Sequence, residues 1–423
     1  MLHVDMPSAP FVGLLSDAPG SSEDQGMIVI DATPLQTGHR HHGIGSYTAG
    51  LLNALLCPSL TGSHGDSLAL LLQASGPGDL PLAVDAAVRP DIHVIPVSPP
   101  LWPGGRWPWL VDRLQALIRF RCIRAAVQRA QARVYHATEP NGLVRIAGVR
   151  TLATLYDLIP LHYPSAIFPL RRLDVRAGYA RYLHQLRRAD HLMAISEATK
   201  QDAVERLRIP PERISVTPLA VDEGRFYPRS PQEIENVRAR HNLRQPYFLH
   251  VGSSVYHKNT AAVVRAFSLF CRETRAEHTL YVTGAYERRV LAALHSSCRH
   301  LYESGRVRML GVVPGDDLPA LYSGAEALVY PSLIEGFGLP VLEAMRCATP
   351  VLTSNTSSLP EVGGDAVLYV DPRRPDEIAA GLQRLTSRPE LRAALVAHGR
   401  RRAALFSWAR TAEQTLRVYK AFL

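Results

Sequence analysis

Tyr330-Pro-Ser-Leu-Ile-Glu-Gly-Phe-Gly-Leu-Pro-Val-Leu-Glu-Ala-Met345 runs from the end of a strand into a helix. The apolar stretch before it, Ala327-Leu-Val-Tyr330, reads as a buried strand. A loop then carries Glu335, Gly336 and Gly338, and Pro340 falls in the first turn of the helix, where its missing N–H leaves nothing unpaired. Glycines at a helix mouth let a ligand reach bare backbone N–H groups. The helix N-terminus favours an anion such as a diphosphate. Two carboxylates, Glu335 and Glu343, flank that position. A carboxylate repels phosphate but accepts hydrogen bonds from vicinal hydroxyls, so a ribose and a sugar on either side of a diphosphate would use both. The alternative is a first-turn dipole partner (Glu343) and a solvated loop acid (Glu335).

The same strand–loop–helix unit recurs on both sides. Downstream and upstream lie Tyr247–Val251, Leu280–Thr283, Val307–Leu310, Pro350–Thr353 and Ala366–Val370. Nearer the start are Ile28–Ala32, Leu68–Leu72, Ile92–Pro96, Arg133–His136, Thr151–Tyr156 and Ile214–Thr217. Short apolar strands alternating with helical patterns indicate α/β with parallel sheets. The 423 residues exceed one ordinary core and predict two doubly wound domains. The expected division is a tail over 1–26, a first domain over 27–228, a linker over 229–246, a second domain over 247–405 and a closing helix over 406–423. Trp408, Ala412, Leu416, Tyr419 and Leu423 share a face of that helix, which therefore needs a partner surface. Ligands bind beyond the carboxyl ends of such sheets, so two facing domains make a cleft.

Residues 1–26 hold Gly, Pro, Ser and acids without the pattern of a secretory signal, and Met27 is an alternative start. No apolar run reaches the length of about 20 residues that crosses a bilayer. The five cysteines have no metal-ligand spacing, and free thiols fit a cytoplasmic protein.

The block from Tyr330 to Met345, with Leu359-Pro-Glu-Val362 and Val370-Asp-Pro372 after it, resembles the donor-binding region of the retaining GT-B-fold glycosyltransferases of family GT4. The resemblance runs from about Met27 to the C-terminus. It implies a GT-B fold of two Rossmann-like domains, the first for the acceptor and the second for a nucleotide-sugar donor, with the last helix packing back on the first domain. It further implies that Glu343 holds the donor ribose and Glu335 contacts the transferred sugar. Gly336, Phe337, Gly338 and Leu339 would supply the helix mouth. Val251-Gly-Ser-Ser-Val-Tyr-His-Lys-Asn259 is similar to the family's diphosphate loop. Gly252, Ser253, His257, Lys258 and Asn259 are its donor-binding candidates. Lys258 is the leaving-group cation. The family's arginine is absent, with Ser253 or His257 in its place, and His257 or backbone N–H groups are the alternatives for a second charge.

Gly43-Ile-Gly45 lies eleven residues past the first strand and lacks a third glycine, so it is not a dinucleotide fingerprint. In the family, a glycine-rich loop here lines the cleft near the donor; a plain turn is the alternative. Leu155-Tyr-Asp-Leu-Ile-Pro160 resembles a segment that usually reads His-Asp, with Tyr156 in place of the histidine. Asp157 is a candidate to orient or deprotonate the acceptor hydroxyl, or else a turn aspartate before Pro160. His136 is either functional or a satisfied core histidine. No metal and no other cofactor is expected, because no Asp-x-Asp of the cation-holding sort is present.

The formal charge of +9 concentrates in two runs. Seven arginines fall between Arg106 and Arg133 with Trp102, Trp107 and Trp109 nearby, and six more fall within 171–188. Basic amphipathic helices with tryptophans suit an anionic membrane surface, and a lipid-linked acceptor would follow. Solvated basic faces are the alternative. No segment resembles a nucleic-acid reading module. The combined motifs are similar to bacterial polysaccharide mannosyltransferases, which makes GDP-mannose the first donor and a UDP-sugar the second. A catalytically silent nucleotide-sugar-binding scaffold and an NAD-dependent oxidoreductase are the rivals from other classes.

Overall fold

The computed structural model of the protein describes residues 26–37, 43–57, 68–73, 92–97, 108–164 and 173–423. The first domain is a seven-stranded parallel sheet in the order β3-β2-β1-β4-β5-β6-β7. Its strands are β1 (Met27–Asp31), β2 (Leu68–Gln73), β3 (Ile92–Val97), β4 (Ala132–Ala137), β5 (Arg150–Leu155), β6 (His191–Ala194) and β7 (Ile214–Val216). The second is a six-stranded parallel sheet in the order β10-β9-β8-β11-β12-β13. It comprises β8 (Tyr247–Val251), β9 (Thr279–Thr283), β10 (Val307–Gly311), β11 (Ala327–Tyr330), β12 (Val351–Ser354) and β13 (Leu368–Val370). Helices cover both faces, which is why strands such as β11 are apolar throughout rather than alternating. In each sheet the order reverses between two central strands, β1 and β4 in the first and β8 and β11 in the second. The crevice for a ligand opens beyond their carboxyl ends.

The chain passes between the domains twice, over 217–230 and again over 404–407. Residues 229–246, expected as a linker, contain the helix Pro231–His241. Ser230 and Glu233 form a reciprocal capping box there, and Val237 is buried against the second domain's core. Asp317 takes hydrogen bonds from Arg240 and from His241 at 2.8 Å, fastening the helix down. Strand β6 is a four-residue element that the sequence pattern leaves unmarked. Gly43 and Gly45 belong to the helix Gly43–Leu55 and not to a loop; residues 38–42 before it lie outside the described residues.

The helix Trp408–Lys420 returns to the first domain. Ser407 caps it by accepting from the Arg410 N–H. Thr411, Ala412, Thr415, Val418 and Tyr419 form its buried face, with Trp408 and Leu416 at the margins. Trp408 lies against Gly50, where any side chain would collide with the indole. Thr411 Oγ1 donates to the Pro218 carbonyl at 2.7 Å. Arg346 donates to Glu223 and, at 3.2 Å, to the Phe406 carbonyl, so one guanidinium touches both crossings.

Candidate active site

The helix Leu339–Arg346 follows β11 after the loop 331–338. Its N-cap is Gly338 at φ 110°, a conformation that side-chain-bearing residues avoid. Gly336 meets a different demand: an added Cβ would sit 2.2 Å from the Tyr156 carbonyl oxygen of the first domain. The loop between them is gripped from behind. Ser357 Oγ accepts from the Glu335 N–H at 2.9 Å, and Ser358 Oγ lies 3.0 Å from the Glu335 carbonyl and 2.8 Å from that of Phe337. Phe337 is buried, edge-on to Phe406. Leu339 is half-buried at the helix start.

Lys258 and Glu335 come from the carboxyl ends of β8 and β11, on either side of the point where the strand order reverses. Lys258 Nζ lies 2.8 Å from Glu335 Oε1 and 3.1 Å from Oε2, and it also donates to the Tyr330 hydroxyl. Tyr330 OH donates to Glu335 Oε1 at 2.8 Å. Burial alone would raise the Glu335 pKa, but the Lys258 charge and hydrogen bonds leave it below the ordinary glutamate value. Burial likewise opposes the Lys258 charge, yet Glu335 and Tyr330 lift its pKa above the usual lysine range. Both groups are therefore charged at neutral pH. Tyr330 is the member of this trio that sequence reasoning misses, because its place at a strand end reads as core.

Glu343 lies on the same helix, farther from the mouth. It accepts from the Tyr322 hydroxyl at 2.8 Å. Burial raises its pKa, while Tyr322 and the Arg225 guanidinium work the other way. Arg225, from the first crossing, is thus a cation near the second carboxylate that no motif marks. His257 does not carry a ready charge: burial lowers its pKa first of all. Asn259 gives its amide hydrogens to the Pro331 carbonyl at 2.9 Å and the Pro372 carbonyl at 2.7 Å, so it ties three loops together. Gly252 packs beneath Tyr286, His250 and Thr260, which leave no room for a side chain. Ser253 is half-buried in the same loop.

Across the cleft, a cavity of about 240 Å³ brings Asp157, His162, Tyr163 and Thr199 of the first domain opposite Glu335 and Ser357 of the second. Asp157 Oδ1 accepts from the Ile159 N–H at 3.0 Å, which fixes the carboxylate as the turn reading requires, and the same carboxylate lines the cavity. Burial raises its pKa above that of an ordinary aspartate, making it a stronger base. Gly43 and Gly45 do not line this cavity. His136 is a core residue. Nδ1 is 2.6 Å from Tyr419 OH, Nε2 is 2.8 Å from Thr154 Oγ1, and burial lowers its pKa to about 3.

Among the described residues, no group of three or more His, Cys, Asp or Glu side chains is placed to hold a metal ion. No described helix is long and apolar enough to cross a membrane. Trp102 and Trp107 lie outside the described residues, as does the side chain of Trp109.

Comparison with known proteins agrees with this geometry. The family model described as "Glycosyltransferase Family 4" matches residues 62–225, and "Glycosyl transferases group 1" matches residues 232–402. O-antigen chain mannosyltransferase B of Escherichia coli is 38% identical over 295 residues, covering 68% of this chain and 74% of that protein. Serotype-specific mannosyltransferase WbdA of Escherichia coli is 29% identical over 281 residues, 65% of this chain but only 34% of WbdA. The sucrose-phosphate synthase from Thermosynechococcus elongatus superposes with a TM-score of 0.70 at 21% identity, covering 94% of this chain and 99% of that structure. The nucleotide-fold sheets, the anion-favouring helix mouth and these matches together place the chain in the group 1 glycosyltransferases of family 4, with the GT-B fold.

Proposed function

We propose that the protein transfers mannose from GDP-mannose to a glycan or lipid-linked saccharide, with retention at the anomeric carbon and without a metal ion, in the synthesis of a cell-surface polysaccharide. The observation that carries this reading is the Lys258–Tyr330–Glu335 trio at the helix mouth, whose Glu335 lines a cavity together with Asp157 of the first domain. Lys258 and the bare N–H groups of the helix start would stabilise the departing diphosphate. The bond from the anomeric carbon to the diphosphate oxygen breaks, and the electron pair leaves with the nucleoside diphosphate. The acceptor oxygen then bonds to the same face of the sugar and yields its proton to Asp157. Glu335 would hold the sugar hydroxyls, and Glu343 the ribose. The names of the similar E. coli proteins support mannose and a polysaccharide product.

The acceptor side carries positive charge. Arg145, Arg187, Arg188, Arg213 and His184 line a concavity of about 550 Å³ on the first domain, with Asp190 its one acidic residue. This supports an anionic membrane surface as a partner, at the inner face of the cell membrane. Binding to vesicles containing phosphatidylglycerol at low salt, lost at high salt, is the expected behaviour.

The decisive experiment is hydrolysis of a panel of GDP- and UDP-sugars in the presence of EDTA, by wild type and by Glu335→Ala. Release of GDP from GDP-mannose by wild type alone is expected. Preference for a UDP-sugar would replace the donor. Tight binding of a panel member without turnover, even when acceptor glycans are supplied, would identify a silent scaffold.

A further inference from the structure

The short segment Ser357–Glu361 after β12 holds both domains at once. Its first two residues grip the donor loop through the Glu335 N–H and the Glu335 and Phe337 carbonyls. Ser357 does so at φ 52°, a backbone conformation that a non-glycine residue adopts at a cost. Three residues after Ser358, the Glu361 carboxylate reaches the first domain. It accepts from the Glu197 N–H at 2.7 Å and the Ala198 N–H at 2.6 Å, the first turn of the helix Glu197–Leu207. A carboxylate at a helix N-terminus gains from the dipole as well as from two charge-assisted hydrogen bonds. The same turn returns the contact. Ser196 Oγ lies 2.7 Å and Thr199 Oγ1 3.1 Å from the Gly336 carbonyl oxygen. Arg402 donates to the backbone carbonyls of Glu361 and Val362, so the segment cannot drift from the second domain.

We propose that Glu361 is a positioning residue for glycosyl transfer: it latches the second domain onto the Glu197–Leu207 helix and, through Ser357 and Ser358, sets where Glu335 stands relative to Asp157. Ala198, which donates to Glu361, and Ser357, which grips the Glu335 N–H, both line the cavity that holds those two carboxylates. The donor can dock on the second domain alone, but the reacting geometry exists only with the latch made. The proposal rests on the glycosyl-transfer reading of the cleft.

The test uses the full chain with Glu361→Ala and the milder Glu361→Gln, which keeps one acceptor oxygen. Three quantities are read: small-angle X-ray scattering without ligand, calorimetric binding of GDP and UDP, and kcat and KM with the nucleotide sugar that wild type consumes. In Glu361→Ala the radius of gyration is expected to rise, and kcat to fall by about tenfold or more, as loss of charged hydrogen bonds implies. Nucleotide binding and donor KM should stay within about threefold, and Glu361→Gln should fall between. An unchanged scattering profile overturns the latch. So does an unchanged kcat, or nucleotide binding that weakens in step with kcat, which would put the effect in the donor site itself. The scattering arm needs no substrate, so failure of the latch is distinguishable from failure of the donor assignment.

Discussion

Lys258 and Glu335 form a partly buried ion pair with the ammonium 2.8 Å and 3.1 Å from the two carboxylate oxygens. The cation proposed for the leaving diphosphate and the carboxylate proposed for the sugar thus satisfy each other before a donor arrives. On the proposed reading, a diphosphate drawing Lys258 toward itself would free Glu335 to accept from sugar hydroxyls.

Lys258→Met should lower kcat for donor consumption by about 100-fold or more, equivalent to roughly 3 kcal/mol of lost leaving-group stabilisation. It also strands Glu335 without its cation. The wild-type pair has a pH signature. Because the Glu335 pKa is depressed from 4.5, its contribution to stability is present above pH 4.5 and is lost as pH falls through the lower folded value. Melting temperatures of wild type and Glu335→Gln should therefore converge on acidification below pH 4.5. Divergence there would contradict the pair.

Glu343→Gln should act mainly on donor affinity. Loss of a charged acceptor for ribose hydroxyls predicts a rise in donor KM of about tenfold, corresponding to about 1.5 kcal/mol, with a smaller change in kcat. Since burial raises the Glu343 pKa, wild-type affinity for donor should begin to weaken at a higher pH than an ordinary glutamate would give. Initial rates across a pH series, wild type against variant, check both.

Gly336→Ala puts a methyl group where the Tyr156 carbonyl stands. The domains must separate or the donor loop must shift, and a displacement of about 1 Å at a reacting centre costs about 100-fold in rate. Transfer should fall by that order, and by more than nucleotide binding weakens. Steady-state kinetics beside calorimetry separates the two.

Tyr419→Phe leaves His136 Nδ1 without its 2.6 Å partner in a fully buried site. The expected loss is about 1–3 kcal/mol of stability by chemical denaturation. The histidine itself titrates below its unfolded value of 6.5, near 3. Its neutral form belongs to the fold, so that stability is complete above pH 6.5 and declines as pH falls from there toward 3. His136→Asn should flatten this part of the stability profile.

The glycine loop and the helix mouth are legible in the sequence because their parts are local. A strand, a glycine loop and a helix start within sixteen residues, and the loop after β8 carries Lys258 a few residues past its strand. What escaped depends on distance along the chain. Glu361 meets Glu197 and Ala198 across more than 160 positions, and nothing in either local pattern announces a carboxylate capping a helix of the other domain. Tyr330 reads as core from the sequence, since a tyrosine at a buried strand end looks alike whether its hydroxyl faces a carbonyl or, as here, the Lys258 ammonium. The helix Pro231–His241 was hidden by composition: its charged side chains face solvent or make ion pairs, and Val237 is its one buried residue. The resemblance implies a glycine-rich loop at Gly43 and Gly45, but these residues open a helix that packs against the helix Trp408–Lys420, a long-range contact that outweighs the low helix propensity of glycine.

The double crossing of the chain has a mechanical consequence. Two covalent tethers fixed side by side, with Arg346 touching Glu223 on one and Phe406 on the other, work like the paired pins of a door. They oppose sliding and twisting of one lobe over the other and leave a swing about the line that joins them. The guanidinium of Arg346, at the last position of the helix Leu339–Arg346, thus rests on that axle, so one end of this short rod is pinned to the line about which the lobes would swing.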